Sequence, residues 1–193
     1  MRFKQKLHAR NATLETPQLT TQQIAQVSAL VAQYIFAERS EYVRRCAPLT
    51  PEQQSALERF FSPHLLDSVG ILRLDGNRVA NPSFYPSLAE MGFVNLPDFG
   101  QMAAITFSDV VVSHEPFTDG LLFHELVHVE QYRRLGVTRF AELYVRGFLT
   151  GGGYDGIPLE MQARALGVRF EMSPRQRFAV SDEVLAWIEE SRY

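Results

Sequence analysis

The sequence is constrained most strongly by His124-Glu-Leu-Val-His128, which has the pattern H-E-x-x-H. At 3.6 residues per turn, two histidines four positions apart lie about 40° from each other on one face of a helix. Their imidazole rings can therefore converge on one metal ion. Glu125 is then placed to take a proton from a metal-bound water, whose pKa zinc lowers towards neutrality.

A helix built on this segment is apolar on two sides, with a narrow polar strip between them. One apolar flank consists of Leu122, Leu126 and Val129, the other of Phe123 and Val127, and the strip of His124, His128, Gln131 and Glu125. Such a helix packs between other elements rather than lying on a surface. Because unpaired buried polar groups are costly, the histidines need partners, and a metal ion is the favoured one.

A third metal ligand must come from elsewhere, because a catalytic zinc usually has three protein ligands and one open position. The candidates are His114, Glu130, Glu142, Asp155, Glu160 and Glu171. Glu130 points away from His128 on the same helix. Glu142 lies on an amphipathic segment, where a lone glutamate is more often solvated.

Glu160 is the favoured third ligand. It lies in the first turn of a predicted helix over residues 157–167, where Pro158 suits the first helical position. The face that carries Glu160 also carries Ala163 and Gly167, whose small side chains would allow close packing against the histidine helix. The alternative interpretation is a glutamate stabilised by the helix dipole at a helix N-terminus.

These residues resemble the zincin superfamily of metallopeptidases, in its glutamate-ligand (gluzincin) branch, with Glu160 and Ala163 in an E-x-x-A pattern. The run 124–131 is similar to the H-E-L-x-H-x-x-Q pattern of small bacterial metallopeptidase-like domains. Those domains include core-domain proteins associated with extracellular contractile injection systems. The resemblance covers about residues 100–170. It implies zinc at His124, His128 and Glu160, with Glu125 as the general base.

The composition limits the domain count and the partners. A chain of 193 residues, 46% of them hydrophobic, suits one well-buried core, so we predict a single domain with an irregular segment at 1–18 and the zincin-like core at 100–170. A net charge of −3 without a basic stripe gives no electrostatic case for nucleic acid.

No apolar run reaches the roughly 18 residues of a membrane span. The lone Cys46 excludes an internal disulfide. Without a signal-peptide pattern we expect a cytoplasmic location, with non-classical export left open.

Periodicity and capping signals predict an α+β, mostly helical fold with a small antiparallel sheet. The predicted helices cover about 20–45, 50–61, 87–91, a cap at Thr118 or Asp119 to Gly136, 138–149, 157–167, and a last helix from Ser181. The predicted strands cover about 69–74, 103–107 and 110–113. Pro63 is expected to end the second helix, with His64 in a loop. The turn Ser108-Asp109 stands where the resemblance leads us to expect glycine.

Four more residues are candidates for the site. Tyr154 could stabilise an oxyanion near the metal, or be a packed loop tyrosine. Gln131 could orient a ligating imidazole. His114 could bind substrate or stabilise an oxyanion, although a solvated histidine at a strand end is its alternative. Arg164 could pair with Glu160, bind a substrate carboxylate, or lie on the surface.

The prediction is a zinc-dependent hydrolase of peptide or related amide bonds, with Zn2+ as cofactor and a peptide or protein as partner. The strand at 110–113 is predicted to be the edge along which an extended substrate pairs. The alternative is a non-catalytic, metal-stabilised interaction or accessory module. Glu125 argues against that alternative, because His124, His128 and Glu160 suffice to hold zinc and only catalysis needs the base.

Overall fold

The computed structural model describes residues 17–173 and 175–193, so the predicted irregular segment at 1–18 lies almost entirely outside the described residues. The helices are α1 (Thr21–Tyr42), α2 (Pro51–Leu57), α3 (Pro63–Ser68), α4 (Tyr85–Glu90), α5 (Asp119–Thr150), α6 (Pro158–Met172) and α7 (Val180–Glu189). The strands are β1 (Ala47–Pro48), β2 (Gly70–Arg73), β3 (Ala104–Phe107) and β4 (Val110–Ser113). The mostly helical α+β class is confirmed. Within the described ranges, no helix combines the length and apolarity needed to cross a membrane.

The four strands form one mixed sheet in the order β1-β2-β4-β3. β3 and β4 pair antiparallel, as predicted, but β2 pairs parallel with β4. The prediction that Val110–Ser113 is an edge strand is therefore wrong, because β4 has β2 on one side and β3 on the other. Within the described sheet the edge strands are β1 and β3, and β3 is the one that pairs with β4.

The β3–β4 turn is held by an ion pair. Ser108 has φ 63°, a left-handed conformation that usually favours glycine. The next residue, Asp109, accepts hydrogen bonds from the guanidinium of Arg39, with its Oδ2 2.8 Å from Nη2. This bidentate pair ties the turn to α1.

Capping boxes begin α1 and α2 where the sequence predicts them, at Thr20 and Thr50. The second helix is shorter than predicted and ends at Leu57. Ser62 then caps α3, with Pro63 in its first turn, so Pro63 starts a helix and the loop prediction for His64 is wrong. Proline suits a first helical turn because the missing N–H would have no intrahelical partner there.

Gly136 interrupts α5 with φ 72° and ψ 158°, outside the helical range. The histidine helix therefore ends where the sequence predicts, and a second helical segment continues directly to Thr150. At the other end, Thr118 is the cap, since its side-chain oxygen accepts a hydrogen bond from the Leu121 N–H.

Two clusters of buried apolar side chains lie on opposite faces of the sheet. Val110 and Val112 belong to one cluster and Val111 to the other, as expected from the alternation of side chains along a strand. α5 contributes to both clusters, with Phe123 in the second and Phe140 in the first. Both apolar flanks predicted for the histidine helix, which include Phe123 and Leu126, lie in the second cluster, whereas its Tyr132 lies in the first.

Candidate metal centre

Three predicted side chains converge on one point between α5 and α6. The Nε2 atoms of His124 and His128 are 3.2 Å apart. Glu160 Oε2 lies 3.6 Å from the first of these nitrogens and 3.4 Å from the second. These residues form a group that could hold a metal ion.

The spacing of the three atoms fits a tetrahedral zinc ion. Zinc binds histidine nitrogen and carboxylate oxygen at about 2.0–2.2 Å, so two tetrahedral ligand atoms lie about 3.3–3.6 Å apart. The three observed separations of 3.2, 3.4 and 3.6 Å match this spacing. All three donors are of types that zinc accepts.

Glu160 Oε2 is buried and has no hydrogen-bond partner among the described residues, which is costly for a carboxylate oxygen. Burial by itself lowers the pKa of His128, but the charge of the Glu160 carboxylate outweighs it and raises that pKa to about 9. Burial raises the pKa of Glu160, yet the neighbouring His128 and His124 hold it well below its usual range. A carboxylate kept ionised beside two imidazoles is suited to bind a cation.

Gln131 fixes the orientation of His128. The Gln131 amide nitrogen donates to the Leu159 carbonyl at 3.0 Å, so its oxygen faces His128 Nδ1 at 2.9 Å. Since this oxygen can only accept, Nδ1 carries a proton, and Nε2 is the nitrogen that can offer a lone pair to a metal ion once the imidazolium loses its second proton. Gln131 is therefore placed to orient the imidazole of His128.

The hydrogen bonds continue beyond Gln131 into a buried network. Its amide nitrogen also donates to Gln162 Oε1 at 3.0 Å, and the Gln162 amide donates to the Glu183 carbonyl at 3.0 Å. The Tyr193 hydroxyl donates to Gln162 as well. Nothing in the sequence pattern singled out Gln162 or Tyr193, because neither lies in the motif.

Close packing of α5 and α6 brings Glu160 to the histidines. Ala163 is fully buried at this contact, as predicted, but Gly167 faces open space, so the prediction for Gly167 is wrong. The tight approach is instead at Gly147, where an added Cβ would lie 2.6 Å from Pro158 Cδ. Pro158 opens α6, so this contact sets the position of the turn that carries Glu160.

Glu125 lies beside the metal group in the same cavity and is itself only 5% exposed. Thr106, on the edge strand β3, donates its hydroxyl hydrogen to Glu125 Oε2 at 2.7 Å. This bond holds one carboxylate oxygen and leaves the other free. Thr106 was missed by sequence reasoning, because its strand pairs with β4 and its contact with α5 depends on the tertiary fold.

The cavity around these groups has a volume of about 90 Å³. Its walls come from α1, β3, α5 and the short 3-10 helix Tyr154–Gly156. Tyr154 is half-buried there, and burial together with the Glu160 carboxylate raises its pKa above the usual range. Its phenol therefore keeps its proton at neutral pH and can act as a hydrogen-bond donor.

The remaining candidates are occupied elsewhere. Glu142 pairs with Arg146 and Arg139, and these bonds lower its pKa. Both ring nitrogens of His114 bond to the backbone, with Nε2 accepting from the Val79 N–H at 2.9 Å and Nδ1 2.7 Å from the Met102 carbonyl. His114 thereby holds a loop against the sheet.

Arg164 pairs with Asp155 rather than with Glu160, and its guanidinium lies 5.9 Å from the centre of the Tyr154 ring. It therefore supports the segment that carries Tyr154. Glu130 is buried and bonded to Arg133 and Arg134, so it points away from the cluster, as predicted.

Comparisons with protein-family models, with curated proteins and with solved structures give no match for this chain.

Proposed function

We propose that this protein is a zinc-dependent hydrolase of peptide or related amide bonds. The proposal depends on the position of Glu125. This carboxylate is not one of the three candidate metal ligands, yet it lines the same cavity as they do. A structural zinc site is usually closed by a fourth protein ligand, and Glu125 does not belong to the ligand group. An additional buried carboxylate facing the same cavity suits acid–base chemistry.

The metal would be held by His124, His128 and Glu160. The donor set of two imidazole nitrogens and one carboxylate oxygen is typical of catalytic zinc, which keeps a further position open. When bound, zinc supplies Lewis-acid chemistry, lowering the pKa of water and polarising a carbonyl group.

Glu125 acts as the general base and then as the general acid. Its carboxylate takes a proton from the attacking water and later passes that proton to the nitrogen of the leaving amine. The hydrogen bond from Thr106 holds one oxygen of the carboxylate, which directs the other into the cavity. Thr106 is therefore a positioning residue, since it acts through Glu125.

Tyr154 is the candidate for stabilising negative charge on the substrate oxygen. Its phenol stays protonated and lines the same cavity as Glu125. A hydrogen bond from this group to an oxyanion would lower the barrier to attack on the amide carbon. Arg164, over the Tyr154 ring, positions the phenol.

The substrate backbone would pair with β3. This strand lines the cavity with all four of its residues and has β4 on only one side within the described sheet. Main-chain pairing with an edge strand holds an extended peptide while tolerating many side chains.

The test measures zinc content and hydrolysis of a generic protein substrate for each variant. Glu125→Gln should retain zinc and lose turnover by at least about 10²-fold, the lower range for loss of a general base. Glu160→Gln should lose zinc, whereas the matched control Glu142→Gln should keep both zinc and activity.

Full activity in Glu125→Gln would refute the mechanism, and equal zinc content in the wild type, His124→Ala and His128→Ala would refute the site. Stoichiometric zinc without turnover of any substrate would favour a metal-stabilised interaction module instead.

A further inference from the structure

A second cavity, of about 60 Å³, lies next to the one that contains Glu125. We call it the apolar chamber. Its walls come from α1, residues 82–99 and the second segment of α5, and none of the described residues that line it is charged. Four half-buried residues line both cavities, namely Val31, Tyr34, Phe99 and Tyr144. The two cavities are therefore neighbours that share these side chains as parts of their walls.

The chamber is suited to an apolar guest and not to ordered water. A buried water usually needs two to four polar partners, and apolar cavities stay dry or take up apolar molecules. The walls consist of aliphatic, proline and aromatic side chains, among them Val27, Leu88 and Val145. Protein interiors are close-packed, so the atoms that line an empty apolar cavity lack van der Waals contacts. An apolar group of the right size would supply these contacts.

The volume of the chamber limits the size of the group that it can bind. One water-sized group needs about 10–15 Å³ by this measure, so the chamber holds about four to six heavy atoms. The side chain of leucine has this size and chemistry. A charged side chain would lose its hydration without gaining a partner.

We propose that the apolar chamber binds an aliphatic side chain of about leucine size, on a substrate residue near the scissile bond. This inference rests on the proposed function, because it assigns the guest to the substrate whose amide lies beside Glu125. The chamber's outer wall includes Leu96, a half-buried residue of the loop after α4, and the adjacent cavity contains the reacting groups. Most of the chamber is thus built by the N-terminal half of the chain, which the motif does not cover.

The first arm of the test compares hydrolysis of peptides that differ only in one residue near the scissile bond. The wild type should prefer leucine over aspartate or glycine by at least about tenfold in kcat/KM, as expected when an apolar pocket is filled. Leu96→Trp should fill the chamber and abolish this preference. Val94→Trp is the matched control, because Val94 lies on the same loop, is exposed, and does not line the chamber. Leu96→Ala enlarges the chamber and should shift the preference towards phenylalanine.

The second arm needs no hydrolysis. N-acetyl-leucine amide is titrated into chelator-treated protein while the methyl resonances of Val27 and Val145 are followed, since both residues line the chamber and neither lines the cavity with Glu125. Saturable shifts should appear in the wild type and Val94→Trp, vanish in Leu96→Trp, and be absent with N-acetyl-glycine amide.

The two arms separate the two proposals. If N-acetyl-leucine amide causes no methyl shifts, or if N-acetyl-glycine amide causes the same shifts, the assignment of the chamber is wrong even if the protein hydrolyses peptides. Hydrolysis without preference for leucine overturns it as well. Specific methyl shifts in a protein that hydrolyses nothing uphold the chamber as a leucine-binding site and count against the proposed function.

Discussion

Replacing Gln131 by methionine tests whether its hydrogen bond prepares His128 for metal binding. Methionine has nearly the length of glutamine but cannot accept the proton of His128 Nδ1. Gln131 is fully buried, so no bulk water replaces the lost acceptor. We therefore expect Gln131→Met to fold and to bind zinc more weakly.

The expected loss follows from two contacts. Removing the hydrogen-bond partner of a ligating histidine typically weakens metal binding by about 10–100-fold, which is about 1.4–2.7 kcal/mol. The same substitution removes the donor to the Leu159 carbonyl at 3.0 Å. Leaving buried polar groups without partners should lower the free energy of unfolding of the metal-free protein by about 1–3 kcal/mol.

Zinc affinity is measured by competition with a chromogenic chelator, and stability by urea unfolding in excess chelator. Gln162→Met is the control, because Gln162 is equally buried and belongs to the same network but does not touch His128. It should lose stability while keeping most of its zinc affinity. Wild-type zinc affinity in Gln131→Met, or an equal loss in both variants, would refute the reasoning.

Three further predictions concern the metal, the helix contact and the base. Zinc held by the proposed site would bind the folded chain far better than the unfolded one, so chelator should lower the melting temperature of the wild type but leave that of His128→Ala nearly unchanged, as checked by calorimetry. Gly147→Ala should lower the free energy of unfolding by about 1–3 kcal/mol and weaken zinc binding, because the new methyl meets Pro158. Gly167 faces open space in a helix, so Gly167→Ala should instead raise the free energy of unfolding by up to about 1 kcal/mol. Urea unfolding of both variants measures the two changes. Thr106→Val should keep zinc and lower kcat with little change in KM, whereas unchanged steady-state kinetics would remove Thr106 from the mechanism.

Local chemistry made part of this fold predictable. The capping boxes at Thr20 and Thr50, the helix break at Gly136 and the proline at the start of α6 all depend on neighbouring residues, and all were correct. The shared face of His124 and His128 also follows from helical spacing, whereas the approach of Glu160 depends on the packing of α5 against α6.

Features set by distant contacts were not predictable. β4 was predicted as an edge because its partner β2 is separated from it by the long connection 74–109, whose path no local pattern reveals. Gly167 looked like a packing position, yet the close approach falls at Gly147 because the crossing of α5 and α6 is set by their neighbours. The walls of the two cavities and the support of Glu125 by Thr106 likewise depend on how the N-terminal half packs.

The three side chains that could hold a metal ion come from α5 and α6, two helices that are close in the chain. The wall of the apolar chamber comes largely from α1 and residues 82–99. Variation in that earlier half can therefore reshape what fits beside the reacting groups while the ligands keep their positions. An engineer could redesign selectivity by exchanging loop and α1 residues, without rebuilding the metal centre.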